Sequence, residues 1–379
     1  MLTIFIVCFL LSLAYSALML LYSYGWQQQA SFANSNYVPA TKISVIIPAR
    51  NEEQNIGDCI RSILSQNYPA ELFEIIVVDD HSEDNTAATV NSFQEPNVYC
   101  IDLAAYVNET EALNSYKKKA LSTGIMASEG DVVVTTDADC LAKPGWLSLI
   151  AALYQRTGAV MIVAPVNLSS DRSVLQVFQS IDFMSMQGIT AAAQRLGMGN
   201  MANGANLAFS RAAYESVDGY AGIDHMASGD DYLLMVKLQN AYPGRIAYLK
   251  STDAIVSTTP QHTWRGFLRQ RIRWASKSGK YDDHKLTVIL GLVYLFNCSF
   301  LILFIAGFFN SLFFGLAGLM LVCKIMSELI FLIPVSRFFN KQKQLLYFSL
   351  LQPLHIAYII IAGFLGFIGG YEWKGRRVK

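Results

Sequence analysis

Charge is what this sequence has least of. Only 15% of its 379 residues are Asp, Glu, Lys or Arg, against roughly 25% in ordinary soluble domains. Residues 1–41 carry no charged side chain at all, and neither do 286–323 and 344–371. A membrane core needs about 20 apolar residues per helix, so these runs are expected to be membrane segments and the charged middle a soluble domain. The 29 basic and 29 acidic residues cancel, which leaves no electrostatic footprint for a nucleic-acid partner. Six cysteines are scattered with no CxxC pair. That argues against a disulfide framework or a zinc site and for reduced thiols. There is no GxGxxG and no GxxxxGKS, which argues against a dinucleotide oxidoreductase and a P-loop NTPase. The first apolar run lacks a basic leader and is long, so it reads as a retained helix rather than a cleaved signal peptide.

Within the charged middle, Ile43 to Pro48 and Glu74 to Asp80 are Val/Ile strands, each ending in a polar loop. Helical patterns follow from Asn55 to Gln66 and after His81-Ser82-Glu83-Asp84. Strand-helix alternation with near-continuous apolar strands predicts an α/β domain whose parallel sheet is covered on both faces, with a nucleotide at the strands' carboxyl edge. A helix is predicted from Glu111 to Ser128, where Lys117, Lys118 and Lys119 read most simply as a solvated face. Then come the strand Val132 to Val134 and Asp137-Ala138-Asp139. Two carboxylates at i and i+2 where a buried strand ends can turn into one cleft and share a divalent ion with substrate phosphates. The same triplet also occurs by chance as a solvated turn.

Further on, Pro144 to Arg156 reads as a helix with Pro in its first turn, Ala159 to Val166 as one strand, and Ser173 to Leu196 as a long packing helix. Asn203-Gly204-Ala205-Asn206 leads into a short strand, and its Gly allows either a turn or close approach of a substrate. In Ser228-Gly229-Asp230-Asp231 the acids open a helix, where the macrodipole alone would favour them. Trp264 to Tyr281 is basic and aromatic, and suits an interfacial helix whose Arg265, Arg269, Arg271 and Arg273 reach headgroups or phosphates. Three apolar segments follow, Leu286 to Phe309, Ser311 to Val335 and Leu345 to Gly370. Lys324 and Glu328 lie one turn apart in the second, so they should pair or face a protein interior.

Four motifs, in order, give the chain its resemblance to a family. They are Val45-Ile46-Ile47-Pro48-Ala49-Arg50-Asn51-Glu52 with Asp79-Asp80, then Asp137-Ala138-Asp139, then Asp230-Asp231, then Gln270-Arg271-Ile272-Arg273-Trp274. Together they resemble the membrane-embedded inverting glycosyltransferases of family 2, such as ceramide glucosyltransferase and poly-N-acetylglucosamine synthase. The resemblance implies a GT-A (Rossmann-like, nucleotide-sugar-binding) domain with transmembrane α-helices, Mg²⁺ or Mn²⁺, and a UDP-sugar donor. It implies that Pro48, Ala49, Arg50, Asn51, Glu52, Asp79 and Asp80 hold the nucleoside, and that Asp137 and Asp139 hold the metal-bound diphosphate. Lys117, Gly204 and Asn206 are further substrate-binding candidates. Asp231 matches the base of the family's Thr-Glu-Asp motif, which here reads Gly229-Asp230-Asp231, a departure that leaves Asp230's catalytic role open. Gln270, Arg273 and Trp274 would close over the diphosphate and the acceptor.

The expected organisation is an N-terminal membrane helix (1–25), a catalytic domain (42–258), the interfacial helix (259–284) and a C-terminal membrane region (285–371). The acceptor is expected to be lipid or glycan. Four apolar segments are few for a polysaccharide channel, which favours a lipid-linked acceptor over a processive polysaccharide synthase. A transporter should show matching halves, and none is visible, while a non-catalytic scaffold would not need every acidic residue. Nucleotide sugars are cytosolic, so the catalytic domain of this multi-pass inner- or plasma-membrane protein should face the cytoplasm. Arg337, Lys341 and Lys343 would then lie inside. A fourth crossing would put Lys374, Arg376, Arg377 and Lys379 outside, so Leu345 to Gly370 is expected to be re-entrant or interfacial.

Overall fold

The structure, a computed structural model, describes residues 1–33, 37–107, 115–169, 173–198, 201–224, 226, 229–276, 283–368, 371–373 and 376–378. It divides into two compact units, residues 30–169 with 200–259, and residues 1–29, 170–199 and 260–379.

The chain opens with α1 (Leu2–Gln28), a helix of the second unit. The first unit is built on β1 (Ile43–Ala49), β2 (Phe73–Asp79), β3 (Val98–Asp102) and β4 (Val132–Thr135), all parallel. Val45, Ile46, Ile47, Ile75, Val77 and Val133 are fully buried, as expected where helices cover both faces. Those helices are α2 (Ile56–Leu64), α3 (Thr86–Asn91), α4 (Tyr116–Ala127) and α5 (Trp146–Thr157). Pro144 lies just before α5, whose N-cap is Gly145, and not in its first turn. Residues 111–114 of the predicted Lys117 helix lie outside the described residues.

The expected strand from Ala159 to Val166 is in fact two, β5 (Met161–Val163) and β6 (Val166–Leu168), in different sheets. Pro165, which has no N–H to give to a ladder, marks the break, and its carbonyl accepts from Val256 instead. After α6 (Val174–Leu196), of the second unit, come β7 (Leu207–Ser210), α7 (Arg211–Ser216), α8 (Asp230–Ala241), β8 (Ile246–Tyr248) and β9 (Val256–Thr258). The main sheet runs β3-β2-β1-β4-β7-β5-β8, and β6 pairs with β9. It is mixed rather than all-parallel, because β7 is antiparallel to both β4 and β5. That reversal matters for the site. Leu207, at the start of β7, pairs with Thr135, at the end of β4, so the Gly204–Asn206 turn sits at the edge where β1, β2 and β4 end.

The second unit is helical. α1 and α6 are joined by α9 (Trp264–Ala275), α10 (His284–Gly307), α11 (Leu312–Phe338) and α12 (Phe348–Ile368). The described part of the chain closes with the antiparallel pair β10 (Tyr371–Trp373) and β11 (Arg376–Val378). Ser173 caps α6 in a reciprocal capping box with Gln176. Among the described residues, four helical stretches are long and apolar enough to cross a membrane: Leu2–Gln28, His284–Gly307, Leu312–Phe338 and Gln342–Ile368. Aromatic contacts join them, with Tyr15 stacked on Phe296 at 4.2 Å and Trp26 edge-on to Phe338 at 5.4 Å. As expected, Lys324 and Glu328 pair, at 2.5 Å. Gln352 bonds both of them, and the Tyr15 hydroxyl donates to Glu328. α9 ends at Ala275, and residues 277–282 of the predicted interfacial helix lie outside the described residues.

Candidate active site

The strand ends of the sheet unit carry the acidic motifs. Beyond β1, Pro48 and Ala49 give way to Arg50, whose Nη1 donates to the Asp80 carbonyl at 3.0 Å and lies 3.8 Å from its carboxylate. Asn51 and His81 both adopt positive φ, 52° and 54°, which is uncommon off glycine and concentrates at functional loops. Cross-bonds hold the two loops together. Asn51 N–H donates to Ser82 Oγ, Glu52 N–H to Thr86 Oγ1, and Glu83 N–H to Asn51 Oδ1. Burial pushes the Asp79 carboxyl above the usual range, hydrogen bonds from Ser82 oppose this, and the charges of Asp102 and Asp80 add to it.

Just beyond the end of β4, Asp137 and Asp139 have different partners. Lys117 Nζ donates to Asp137 Oδ1 at 2.7 Å and stands 3.7 Å from Asp230 Oδ2. Lys117 is therefore no solvated side chain. It is only 25% exposed, and it links the Asp-x-Asp motif to the first acid of α8. Burial alone would lower its pKa, yet Asp137, and after it Asp230, hold it above the ordinary lysine range. Lys118 is not solvated either, because its ammonium is buried against the carbonyls of Ile223 and Met226.

Thr258 Oγ1 donates to Asp139 Oδ2 at 2.9 Å. Burial pushes the Asp139 carboxyl up, the Asp137 charge adds to it, Thr258 opposes, and Glu52 adds again. Among the described residues, no group of three or more His, Cys, Asp or Glu side chains forms a metal cage.

Asp230 and Asp231 open α8, as their sequence position implies, after Gly229 with φ 83°. Ser228 lies outside the described residues. Asp230 is buried and ion-paired with Lys117, whereas Asp231 is only half-buried and accepts from the Gly204 N–H at 3.2 Å. Gly204 is needed for closeness: a Cβ there would lie 3.2 Å from Asp230 Oδ2 and 3.7 Å from Lys117 Nζ.

The Asn206 side chain is fully buried, accepts from Trp146 Nε1 at 2.8 Å, and donates to the carbonyls of Pro165 and Ala254. With both ends of the amide bonded to the protein, it fastens the turn. Gln270, Arg273 and Trp274 lie on α9 in the helical unit. There Arg271, expected at headgroups, is instead buried on Asp182, at 2.6 Å from Nη2. Sequence reasoning also missed Thr258, since a threonine at a strand end carries no signal of its own.

The chain matches Glycosyl transferase family 2 over residues 44–217 and Glycosyl transferase family group 2 over 132–365, the latter more than half its length. It is 28% identical over 293 residues to a probable glycosyltransferase of Bacillus subtilis, covering 72% of this chain and 66% of that protein. It is 28% identical over 235 residues to a poly-beta-1,6-N-acetyl-D-glucosamine synthase of Staphylococcus epidermidis, covering 62% and 53%. The chain thus spans between about half and two thirds of these curated relatives. Among solved structures, a mannosyltransferase from Pyrobaculum calidifontis, in complex with GDP-Man and Mn2+, superposes with a TM-score of 0.59 at 20% identity. The match covers 96% of this chain and 99% of that one, and it shows the same GT-A fold. The chain carries a Glycosyl transferase family 2 domain and belongs to Glycosyl transferase family group 2.

Proposed function

We propose that this chain is a membrane-anchored, inverting glycosyltransferase that moves a sugar from a UDP-sugar to a lipid-linked acceptor. The observation that carries this reading is the constellation at the strand edge, where Lys117 bridges Asp137 to Asp230 with Asp139 and Asp231 beside them. Inverting displacement at an anomeric carbon needs a base on one side and charge stabilisation for the departing diphosphate on the other. Asp137 and Asp139 fit a divalent cation. Asp139 is crowded by Asp137 and Glu52, and a cation with oxygen ligands relieves that crowding by drawing on these carboxylates and on substrate phosphates. When bound, Mg²⁺ or Mn²⁺ supplies charge stabilisation to the diphosphate.

The residues of the chain do the rest. Arg50, Asn51, Glu52, Asp79 and Asp80 frame the nucleoside, and Lys117 holds Asp230 and Asp137 in register. Asp231 takes the acceptor hydroxyl's proton on its carboxylate. It suits that task better than Asp230, which is buried and committed to Lys117. Gln270, Arg273 and Trp274 are assigned substrate binding by the motif they match. The relatives favour N-acetylglucosamine as the sugar, since one is named a poly-beta-1,6-N-acetyl-D-glucosamine synthase and another, from Rhizobium meliloti, an N-acetylglucosaminyltransferase.

The first of those names also favours a second reading, a processive polymer synthase. Radiolabelled UDP-N-acetylglucosamine with membrane lipid extract separates the two. A single lipid-soluble product supports the lipid acceptor, a ladder of lengths supports the polymer, and no transfer from any nucleotide sugar contradicts both. The sheet unit would face the cytoplasm, and the segment Leu345 to Gly370, with Pro353 inside α12, would be re-entrant or interfacial. Labelling, from outside intact cells, of a cysteine introduced into the C-terminal tail would refute that placement.

A further inference from the structure

The helical unit contains a polar cluster that the motif pattern does not name. Arg271 stands between the motif's glutamine and its tryptophan, and its guanidinium touches both. Nη1 donates to Gln270 Oε1 at 3.0 Å, and the guanidinium carbon lies 4.2 Å from the Trp274 ring centre and 4.7 Å from that of Phe267. Arg271 is in turn fixed from α6. Its Nε and Nη2 reach Asp182 Oδ2 at 2.9 and 2.6 Å, and both residues are 5% exposed. The other carboxylate oxygen of Asp182 accepts from the Tyr358 hydroxyl and lies 3.8 Å from His355 Nε2, both on α12. Phe178, Phe267 and Tyr358 pack edge-on around the pair at 5.4 to 5.6 Å.

A buried ion pair contributes little net stability over an apolar substitute. A planar guanidinium pinned at one end, and stacked on an indole at the other, does fix the orientation of that ring. We propose that Arg271, anchored by Asp182, is a positioning residue that holds Trp274 and Gln270 in their working orientation. The inference rests on the reading of Gln270, Arg273 and Trp274 as substrate-binding residues. Lysine cannot replace Arg271 in this task, because it keeps the charge for Asp182 but loses the stacking plane and the fork.

The test uses the full-length protein in detergent micelles. The contribution of Trp274 to near-ultraviolet circular dichroism is the difference between each parent and its Trp274→Phe partner. It is measured in wild type, Arg271→Lys and Asp182→Asn, with turnover of UDP-N-acetylglucosamine as the probe reaction. Arg271→Lys and Asp182→Asn should lose most of the Trp274 signal while keeping the far-ultraviolet helix spectrum. Turnover should fall on the order of 10- to 100-fold, the scale of a small misplacement of a positioning group. Adding Arg271→Lys to Trp274→Phe should cost less than about twofold more, because residues acting as one unit are not additive. An unchanged Trp274 signal in both variants overturns the proposal, and so does a full additional loss in the double variant. Wild-type turnover in Trp274→Phe would instead overturn the reading of the motif itself, whatever the ring signal does.

Discussion

In the helical unit, buried charges come in matched pairs, Arg271 with Asp182 and Lys324 with Glu328, and each pair is completed by neighbouring hydroxyls or amides. At the edge of the sheet the acids cluster instead: Asp137 and Asp230 share Lys117, while the charges of Asp137 and Glu52 bear on Asp139. Matched pairs need nothing more from outside the chain. In a like-charged cluster each acid raises the cost of ionising its neighbour, and on the proposed function a divalent cation with a diphosphate relieves that cost. The proposal thus assigns the matched pairs to structure and the clustered acids to a ligand.

The comparison breaks most visibly if the acidic edge does not need a cation. Chelation with EDTA should abolish transfer, and Mg²⁺ or Mn²⁺ should restore it. Full activity in chelator would remove the role given to Asp137 and Asp139. On the helical side, Glu328→Gln leaves the Lys324 ammonium buried without its counter-charge. Breaking such a pair costs about 3–5 kcal/mol, so the thermal midpoint in detergent should drop sharply, and Lys324→Met added to it should recover much of the loss. A midpoint unmoved by Glu328→Gln would show that the pair is not structural. The smallest effect is expected at Gly204→Ala. Its Cβ would press within 3.2 Å of Asp230 Oδ2, a contact that asks for a shift of a few tenths of an ångström. A loss of turnover of about threefold to tenfold, with the midpoint nearly unchanged, fits the misplacement of one catalytic-edge group. A wild-type rate would mean that the acid pair tolerates the shift.

Much of this was legible in the residues. The Val/Ile strands announced a sheet buried on both faces, and the acids could be placed at the ends of its strands. The antiparallel β7 was not legible, because a four-residue apolar strand carries no direction. Without it nothing in the sequence said that Gly204 would meet Asp231. Lys117, Lys118 and Lys119 look alike in sequence, yet one bridges two acids and the next caps two carbonyls. Only tertiary contacts separate them. Asn206 shows the converse: an amide beside a glycine turn reads as a ligand contact, and only the folded chain shows its side chain bonded to Trp146, Pro165 and Ala254. Arg271 was hidden among four arginines of one helix, and only the acid on α6 sets it apart.

Calorimetric titration with UDP and Mn²⁺, set beside initial rates, tests the central claim that Asp139 serves the donor and Asp231 the acceptor. Asp139→Ala should lose both nucleotide binding and turnover. Asp231→Asn should bind UDP nearly as wild type while turnover falls by about 10²–10⁴, the usual contribution of a general base, and Asp230→Asn should show the milder defect. An Asp231→Asn protein that no longer binds UDP would contradict the account, as would one that stays active while Asp230→Asn is dead.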